Sequence, residues 1–378
     1  MPYLSKITID GYKSIRSVQL TLNRLNVLIG ANGSGKSNFI SIFRLLNEVI
    51  LGDLQNHVGR MGGASTLFHH GTSVTQKIAI SLEFDMENGW RNGYEATWEL
   101  GNSDTLFFVD ERFYMHDTSR FPEPYSIALG TGHKETLLRQ EAKKQADRRV
   151  TAVDYVIQSV TTMRVYHFHD TRREAFVKQT GDLNDNAQLK YDAANLAAYL
   201  YFLKEIHPEY YRRIIATIRL VAPFFDDFIL RPSPLNPDKI RLEWREKGSD
   251  AYFDAHALSD GTLRFICLST LLLQPNLPTL VLIDEPELGL HPYAITLLAE
   301  MLQSAATKTQ VIVSTQSVSL INQFIPEDIL VLDREEREST FKRLDVKSLT
   351  DWLQDYGLGE LWERNILGGR PQPVKIGS

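Results

Sequence analysis

The segment GANGSGKS, Gly30 to Ser37, constrains this chain more than any other, because it matches the pattern G-x-x-x-x-G-K-[ST]. Asn26–Ile29 before it reads as a buried strand. The apolar spacing Phe39, Ile40, Ile42, Phe43, Leu46 after it reads as a helix beginning near Lys36. In that setting the glycines let the backbone curl. The N–H groups of Asn32, Gly33, Ser34 and Gly35 can then point at phosphate oxygens, with the positive end of the helix behind them. Lys36 would bridge β- and γ-phosphates, and Ser37 would give its hydroxyl to Mg²⁺. A chance glycine-rich turn is the bland alternative, and the full pattern at a strand–helix junction disfavours it. ATP and Mg²⁺ are therefore the expected cofactors.

Two further segments complete a nucleotide site. Thr279–Ile283 reads as a buried strand ending in Asp284-Glu285-Pro286. An aspartate there can hold Mg²⁺ through water, and the adjacent glutamate can orient or deprotonate an attacking water. Two capping carboxylates would be the plain reading. Ala257–Arg264, containing LSDGT, opens a predicted helix in which Ser259 and the free N–H groups around Gly261 suit an anion. Alone, that segment is an ordinary helix N-cap. Its position after the phosphate loop and before the Asp284 strand favours the anion site.

The rest of the chain supplies the frame. Strands are predicted at Ile7–Ile9, Val18–Leu22, Ile78–Phe84, Tyr94–Leu100 and Thr105–Tyr114, the last three as an antiparallel sheet. Helices are predicted at Asn195–Ile206 and Glu209–Leu220, then strands at Phe228–Arg231 and Ile240–Glu243, and a helix over Thr262–Leu273. The final third alternates strand 279–283, helix 293–306, strand 309–313, helix 317–324 and strand 329–332, a rhythm that implies a parallel sheet. The 378 residues fit two average domains or one large α/β domain with an insertion. Shares of 43% hydrophobic and 23% charged residues exclude a disordered scaffold or a collagen-like fibre. A net charge of −6 argues against bulk coating of nucleic acid, leaving a local basic groove open. Cys267 is the only cysteine, so no disulfide forms within the chain and a reducing cytosol fits. The amino terminus lacks an apolar h-region, and no run of about twenty apolar residues occurs, so a cytoplasmic protein without a membrane partner is expected.

GANGSGKS (30–37), LSDGT (258–262) in place of the signature LSGGQ, and LIDEPELGLHP (282–292) together resemble the ABC-type ATPases of the SMC, Rad50 and RecF group, including the branch with OLD-family ATPases. The opening IDGYKSIRSV followed by LNRLNVLIG is similar to the amino-terminal strands of that group. The tail Leu358–Arg370 resembles those of small bacterial AAA-type ATPases encoded in phage-defence pairs. The resemblance implies an α/β fold: a P-loop NTPase head of ABC type with a mixed sheet, an antiparallel β subdomain and a helical insertion. The head would span 1–335, its P-loop lobe made of 1–50 plus 250–335 and its inserted lobe of about 51–249, with a helical tail over 336–378 packed on it.

The same resemblance implies a head-to-tail dimer or higher homo-oligomer, with ATP between one protomer's P-loop and the other's signature. Ser259 would contact the γ-phosphate in trans, and Leu288–Pro292 would lie at the interface. Two departures stand out. Gln316, in Val313-Ser-Thr-Gln-Ser317, occupies the switch position usually held by histidine. Glutamine can hydrogen-bond phosphate but cannot carry a proton, which implies slow hydrolysis. His291 replaces the usual aspartate of the interface loop. Lys13 in Gly11-Tyr-Lys-Ser14 sits where relatives present a basic residue to nucleotide.

Weaker groupings remain open. His167 and His169 would share one face of a strand, and His169 or Asp170 could occupy the Q-loop position touching Mg²⁺; an ordinary strand is the alternative. The pair His69–His70 reads as a plain loop. The basic stretch from Lys134 to Arg149 reads as a solvated helix face, or as a contact for nucleic acid or a partner.

Several functions fit. One is an ATPase switch whose closed dimer controls a separately encoded effector, a nuclease or toxin, in phage defence. Another is a RecF-like repair ATPase that clamps DNA. A transporter subunit is disfavoured by the Rad50-like opening and the DEPELGLHP block. Only about 220 residues separate Ser37 from Leu258, too few for SMC-length coils, and 46 follow Leu332, too few for the Toprim nuclease domain of OLD proteins.

Overall fold

The computed structural model describes residues 3–86, 89–145 and 151–369. Of the sequence-based expectations, those for Asp147, Arg148, Arg149 and the end of the tail from Arg370 fall outside the described residues. The chain begins with strands β1 (Tyr3–Tyr12), β2 (Ile15–Thr21) and β3 (Leu25–Ile29), then helices α1 (Lys36–Leu51) and α2 (Leu54–Arg60). Strands β4 (Lys77–Asp85), β5 (Trp90–Gly101), β6 (Thr105–Asp117) and β7 (Tyr125–Gly130) follow, then α3 (Leu138–Lys144), α4 (Ala152–Thr161), β8 (Met163–Tyr166) and β9 (Gly181–Asp182). Next come α5 (Leu196–Ile206), α6 (Pro208–Val221), β10 (Phe225–Ile229), β11 (Lys239–Ile240), β12 (Glu243–Glu246), β13 (Tyr252–Asp254) and α7 (Asp260–Leu273). The last part holds β14 (Leu280–Asp284), α8 (Pro292–Ala306), β15 (Gln310–Thr315), α9 (Val318–Ile321), β16 (Ile329–Glu335), β17 (Glu338–Arg343), α10 (Val346–Leu349) and α11 (Leu358–Glu363).

Two six-stranded sheets organise these elements. One is antiparallel, ordered β2-β1-β4-β5-β6-β7. The other, ordered β17-β16-β3-β15-β14-β8, is mixed: β17 returns antiparallel to β16 and the remaining pairings are parallel. Strand alternation divides the mixed sheet's side chains between two cores. Val27, Ile29, Val281, Ile283, Val311 and Val313 face the core that includes residues of α5 to α8. Leu28, Leu280, Leu282, Ile312, Leu330 and Leu332 face the core shared with α1 and the antiparallel sheet. The fold is α/β, with the β layer and the helical layer on opposite faces of the sheet that carries the phosphate loop.

Several expectations need correction. The strand expected over Ile240–Glu243 is split: Lys239–Ile240 pairs with β9, whereas Glu243–Glu246 pairs with β10 and β13. Their short apolar runs look continuous in sequence, but different neighbours satisfy their backbones. The helix expected over 317–324 is confined to Val318–Ile321. Strand β8 ends at Tyr166, so His167 and His169 lie beyond it and not on a strand face. The expected boundary at 335/336 falls inside the β16–β17 hairpin, whose ladder runs from Glu335↔Glu338 to Leu330↔Arg343. β8, within the stretch assigned to the inserted lobe, pairs with β14 in the mixed sheet. The basic stretch contains the short helix α3, and Arg139 is tied to the frame by donating to the Ile50 carbonyl at 2.8 Å.

Candidate nucleotide site

Register brings the site together. In the parallel ladder Thr315 lies opposite Ile29, and Ser314 opposite Asp284, so the loops after β3, β14 and β15 emerge at one carboxyl edge. Open α/β sheets bind ligands at that edge. Here it forms a cleft of ≈ 560 Å³ lined by Asn32, Gly33, Gly35, Lys36, Ser37, Asp284, Glu285 and Gln316 among others. Segments about 250 residues apart in sequence thereby meet.

The phosphate loop is held from below. A Cβ on Gly30 would lie 2.3 Å from the Leu332 carbonyl oxygen, and one on Gly35 only 2.1 Å from Ser339 Oγ. Gly33 and Gly35 have φ of 80° and 113°, in the region where glycine avoids the usual penalty. Lys36 is buried and donates to the Gly30 and Ala31 carbonyls at 2.6 and 3.1 Å. Burial lowers its pKa, while Glu285, Asp284 and Glu287 pull it back up. Its ammonium thus stays attached to the loop by bonds that phosphate oxygens could replace. Ser34 Oγ is buried without a hydrogen-bond partner, so the loop holds a donor suited to an anionic ligand.

The opposite wall carries the carboxylates. Asp284 accepts a hydrogen bond from Ser314 Oγ. Glu285 has φ of 42°, and its N–H donates to the Ser314 carbonyl at 2.8 Å, which turns its side chain out of the strand direction. Gln316 Nε2 donates to Glu285 Oε1 and to Asn32 Oδ1, both at 2.7 Å. One amide therefore links the loop after β15, the strand-end glutamate and the phosphate loop. Behind them Glu287 is buried, accepts from Thr315 Oγ1, and has its pKa raised chiefly by burial.

The Ser37 hydroxyl and the Asp284 carboxylate line the same cleft and are hard oxygen donors of the type Mg²⁺ takes, so the donor set fits that ion. Among the described residues no group of three or more His, Cys, Asp or Glu side chains could hold a metal by itself. A Mg²⁺ ion here would depend on phosphate and water for its remaining ligands, as it does in nucleotide sites.

Lys13 also lines the cleft, with a left-handed backbone (φ 47°) and Nζ donating to Ser41 Oγ at 3.3 Å. Burial, followed by the nearby Arg44, lowers its pKa. Ser259 and Gly261 sit elsewhere. Ser259 is exposed and caps α7 by accepting from the Thr262 N–H at 3.2 Å. A Cβ on Gly261 would lie 2.5 Å from the Gly289 carbonyl oxygen, which packs the LSDGT turn against the 288–292 loop. His291 caps α8, its Nδ1 accepting from the Tyr293 N–H at 3.3 Å. Neither His169 nor Asp170 lines the cleft: His169 Nε2 lies 2.8 Å from the Asp284 carbonyl oxygen, and Asp170 pairs with Arg172 at 3.0 Å.

Sequence reasoning missed part of the wall. Ser65, Thr66, Phe68 and His70 line the cleft because Phe68 bridges to Tyr12 and the Lys13 N–H donates to the Leu67 carbonyl at 2.8 Å. The His69–His70 segment is consequently more than a plain loop: His69 is buried with Nδ1 2.7 Å from the Lys13 carbonyl oxygen, and His70 faces the site. Arg334, near the end of β16, and Arg337, in the β16–β17 turn, were also missed. The only sequence signal for the first group was its glycine content, and for the arginines there was none.

No helix among the described residues is long and apolar enough to cross a membrane. The chain is 24% identical over 388 aligned positions to the OLD nuclease of Thermus scotoductus, an alignment covering 97% of this chain and 68% of that protein. Over 86 residues, 22% of this chain and only 7% of the relative, it is 31% identical to the chromosome segregation protein sudA of Emericella nidulans. In fold it resembles the SMC head crystallised with the C-winged helix domain of ScpA, at a TM-score of 0.60 and 14% identity, covering 92% of this chain and 99% of that one. The fold is accordingly that of an ABC-type P-loop head of the SMC and Rad50 kind, similar to OLD proteins. Residues 25–322, which contain the phosphate loop, the LSDGT cap, Asp284, Glu285 and Gln316, match a single family model, and the chain belongs to that family, described as "AAA domain, putative AbiEii toxin, Type IV TA system".

Proposed function

We propose that this chain binds and slowly hydrolyses ATP, and that ATP closes two copies into a sandwich controlling a separately encoded nuclease or toxin in phage defence. One observation carries the reading. The P-loop, Asp284, Glu285 and Gln316 share one cleft, whereas Ser259, the signature serine, is exposed outside it, its hydroxyl engaged among the described residues only by Thr262. A signature facing solvent suits a phosphate presented by a second chain. Leu288 and Tyr293, 49% and 51% exposed beside that turn, add apolar area for such a contact.

Within the cleft, Lys36 and the loop N–H groups bind the phosphates, and Ser37 and Asp284 would hold Mg²⁺. That ion would supply charge neutralisation at the β- and γ-phosphate oxygens. Glu285, fixed by Gln316, orients the attacking water and takes its proton. Because Gln316 can hydrogen-bond but not titrate, proton removal falls on Glu285 alone, which supports slow turnover. The nuclease or toxin effector draws on the OLD nuclease relative and the family description, and the defence role only on the resemblance of the motifs and tail to phage-defence ATPases.

Glu285→Gln should retain ATP binding, lose hydrolysis and accumulate the closed dimer with ATP and Mg²⁺, read by light scattering. Ser259→Arg should abolish that association while leaving ATP bound. The sandwich is falsified if ATP leaves association unchanged in Glu285→Gln, or if Ser259→Arg still closes. The chain alone should leave DNA and RNA intact; cleavage that survives loss of the ATP site would overturn the effector assignment. A plaque assay on the gene with its neighbour tests the defence role.

A further inference from the structure

The nucleotide cleft has a wall that none of the sequence motifs supplies. β16 and β17 are joined by a two-residue turn, with Glu335 paired to Glu338 and both central residues, Glu336 and Arg337, at positive φ (47° and 73°). Tight hairpins of this kind favour asparagine and glycine. Two side chains held there against the usual penalty mark a turn whose residues do something glycine could not.

The turn is locked to the phosphate loop. The Ser339 N–H donates to the Ser14 carbonyl at 2.8 Å, and the Ser339 and Ser14 hydroxyls lie 2.7 Å apart, directly beneath Gly35. Arg334 Nη1 donates to the Gly33 carbonyl at 3.4 Å. Both Arg334 and Arg337 line the cleft. In the sheet order β16 lies on one side of β3, whereas β15 and β14, which carry Gln316, Asp284 and Glu285, lie on the other. The phosphate loop therefore runs between a pair of arginines and a pair of carboxylates.

Charge sharpens the point. The neighbouring acid Glu338 is taken by Arg16 at 3.3 Å. Asp333 accepts from the Arg334 and Gly369 N–H groups at 2.8 and 3.1 Å. Among the described residues neither the Arg334 nor the Arg337 guanidinium has a carboxylate partner. Two guanidinium forks without a carboxylate partner among the described residues, beside a phosphate loop, form a ready receptor for phosphate oxygens, because a guanidinium meets such oxygens with two parallel N–H donors.

We propose that Arg334 and Arg337 are nucleotide-binding residues acting in cis, which take negative charge of a nucleoside triphosphate from the β16 side and favour it over the diphosphate. The proposal rests on the ATP reading above and adds residues that the motifs do not include. The terminal phosphate brings the additional charge, so the pair stabilises the triphosphate more. Equilibrium binding of fluorescent ATP and ADP analogues to the full chain tests this for Arg334→Ala, Arg337→Ala and the double variant, at low and high salt, with thermal melts confirming the fold.

Each single substitution should weaken ATP binding roughly tenfold, as expected for one charge-assisted hydrogen bond, and the double variant more. ADP should lose less. The difference should shrink at high salt, because the groups are solvent-exposed. Arg337→Lys should recover part of the loss, and Arg→Gln substitutions replace any alanine variant that does not fold. Unchanged ATP affinity in the double variant, with binding abolished in Lys36→Ala, overturns this proposal and leaves the ATP reading standing. Unchanged affinity in Lys36→Ala as well overturns both. Losses equal for ATP and ADP and insensitive to salt would assign the arginines to packing of the wall, and would also overturn it.

Discussion

Replacing Gly35 with alanine places a methyl carbon 2.1 Å from Ser339 Oγ, 2.8 Å from Ser339 Cβ and 3.1 Å from Ser14 Oγ, at a φ of 113°. Two penalties then act together. The backbone conformation costs a non-glycine residue about 1–3 kcal/mol. Forcing the methyl into a filled space costs about 1–3 kcal/mol more. Gly35→Ala should therefore destabilise the protein by roughly 2–6 kcal/mol, or distort the loop and lose ATP affinity. Ser339→Gly separates the terms, since it removes the two closest atoms and leaves the backbone penalty. Alone it should cost about 1–2 kcal/mol, from the lost contact with Ser14 and a glycine in β17. In the Gly35→Ala background it should instead recover about 1–3 kcal/mol. Urea unfolding gives the cycle, and binding of a fluorescent ATP analogue reports the loop. If Gly35→Ala lies within about 0.5 kcal/mol of the parent, or Ser339→Gly adds its cost without relief, then the hairpin does not brace the phosphate loop as argued.

Gln316→Ala should release both Asn32 and Glu285, leaving ATP affinity nearly unchanged while lowering steady-state hydrolysis at least about tenfold; equal turnover would remove Gln316 from the site. Glu111, fully buried, receives hydrogen bonds from Tyr94, Thr136 and the Leu137 N–H, with His133 Nε2 at 2.8 Å. Glu111→Ala should cost roughly 3–5 kcal/mol in urea unfolding, as breaking a buried polar network does. The Cys267 thiol is 2% exposed and pushed up to about 12 by burial, so a thiol reagent should label it only after unfolding. Asn322→Ala removes the acceptor of the Gly359 N–H, at 2.7 Å, and should speed amide exchange across 358–363 without changing it in β14.

The motif-bearing half of the candidate site was legible because the chemistry proposed for it depends on local spacing. A phosphate loop needs its glycines, lysine and serine in one turn, and a strand-end carboxylate pair needs a buried strand directly before it. Both therefore leave compact marks, as does the Ser259 cap. The antiparallel strands and the long helices were legible for the related reason that their periods are written along the chain. Elements that depend on a distant neighbour were not. Lys239–Ile240 and Glu243–Glu246 look like one strand until their separate partners are seen, and the end of β8 is set by pairing with β14 rather than by composition.

By itself the sequence determined the phosphate loop, the strand-end carboxylates, the LSDGT helix cap and the α/β class, because each is a pattern within a few residues whose physics is local. Only the tertiary structure decided what completes the cleft. The parallel register sets Ile29, Thr315 and Asp284 at one edge and so joins Gln316 to Glu285 and Asn32. The Tyr12–Phe68 bridge carries His70 into the wall, and the antiparallel return of β17 brings Arg334 and Arg337 beside Gly33 and Gly35. The hydrogen-bonded neighbours among them lie from 31 to 301 residues apart in the chain, and their meeting depends on which strands pair and in what register, a choice made by long-range packing and backbone hydrogen bonding rather than by any local run of side chains.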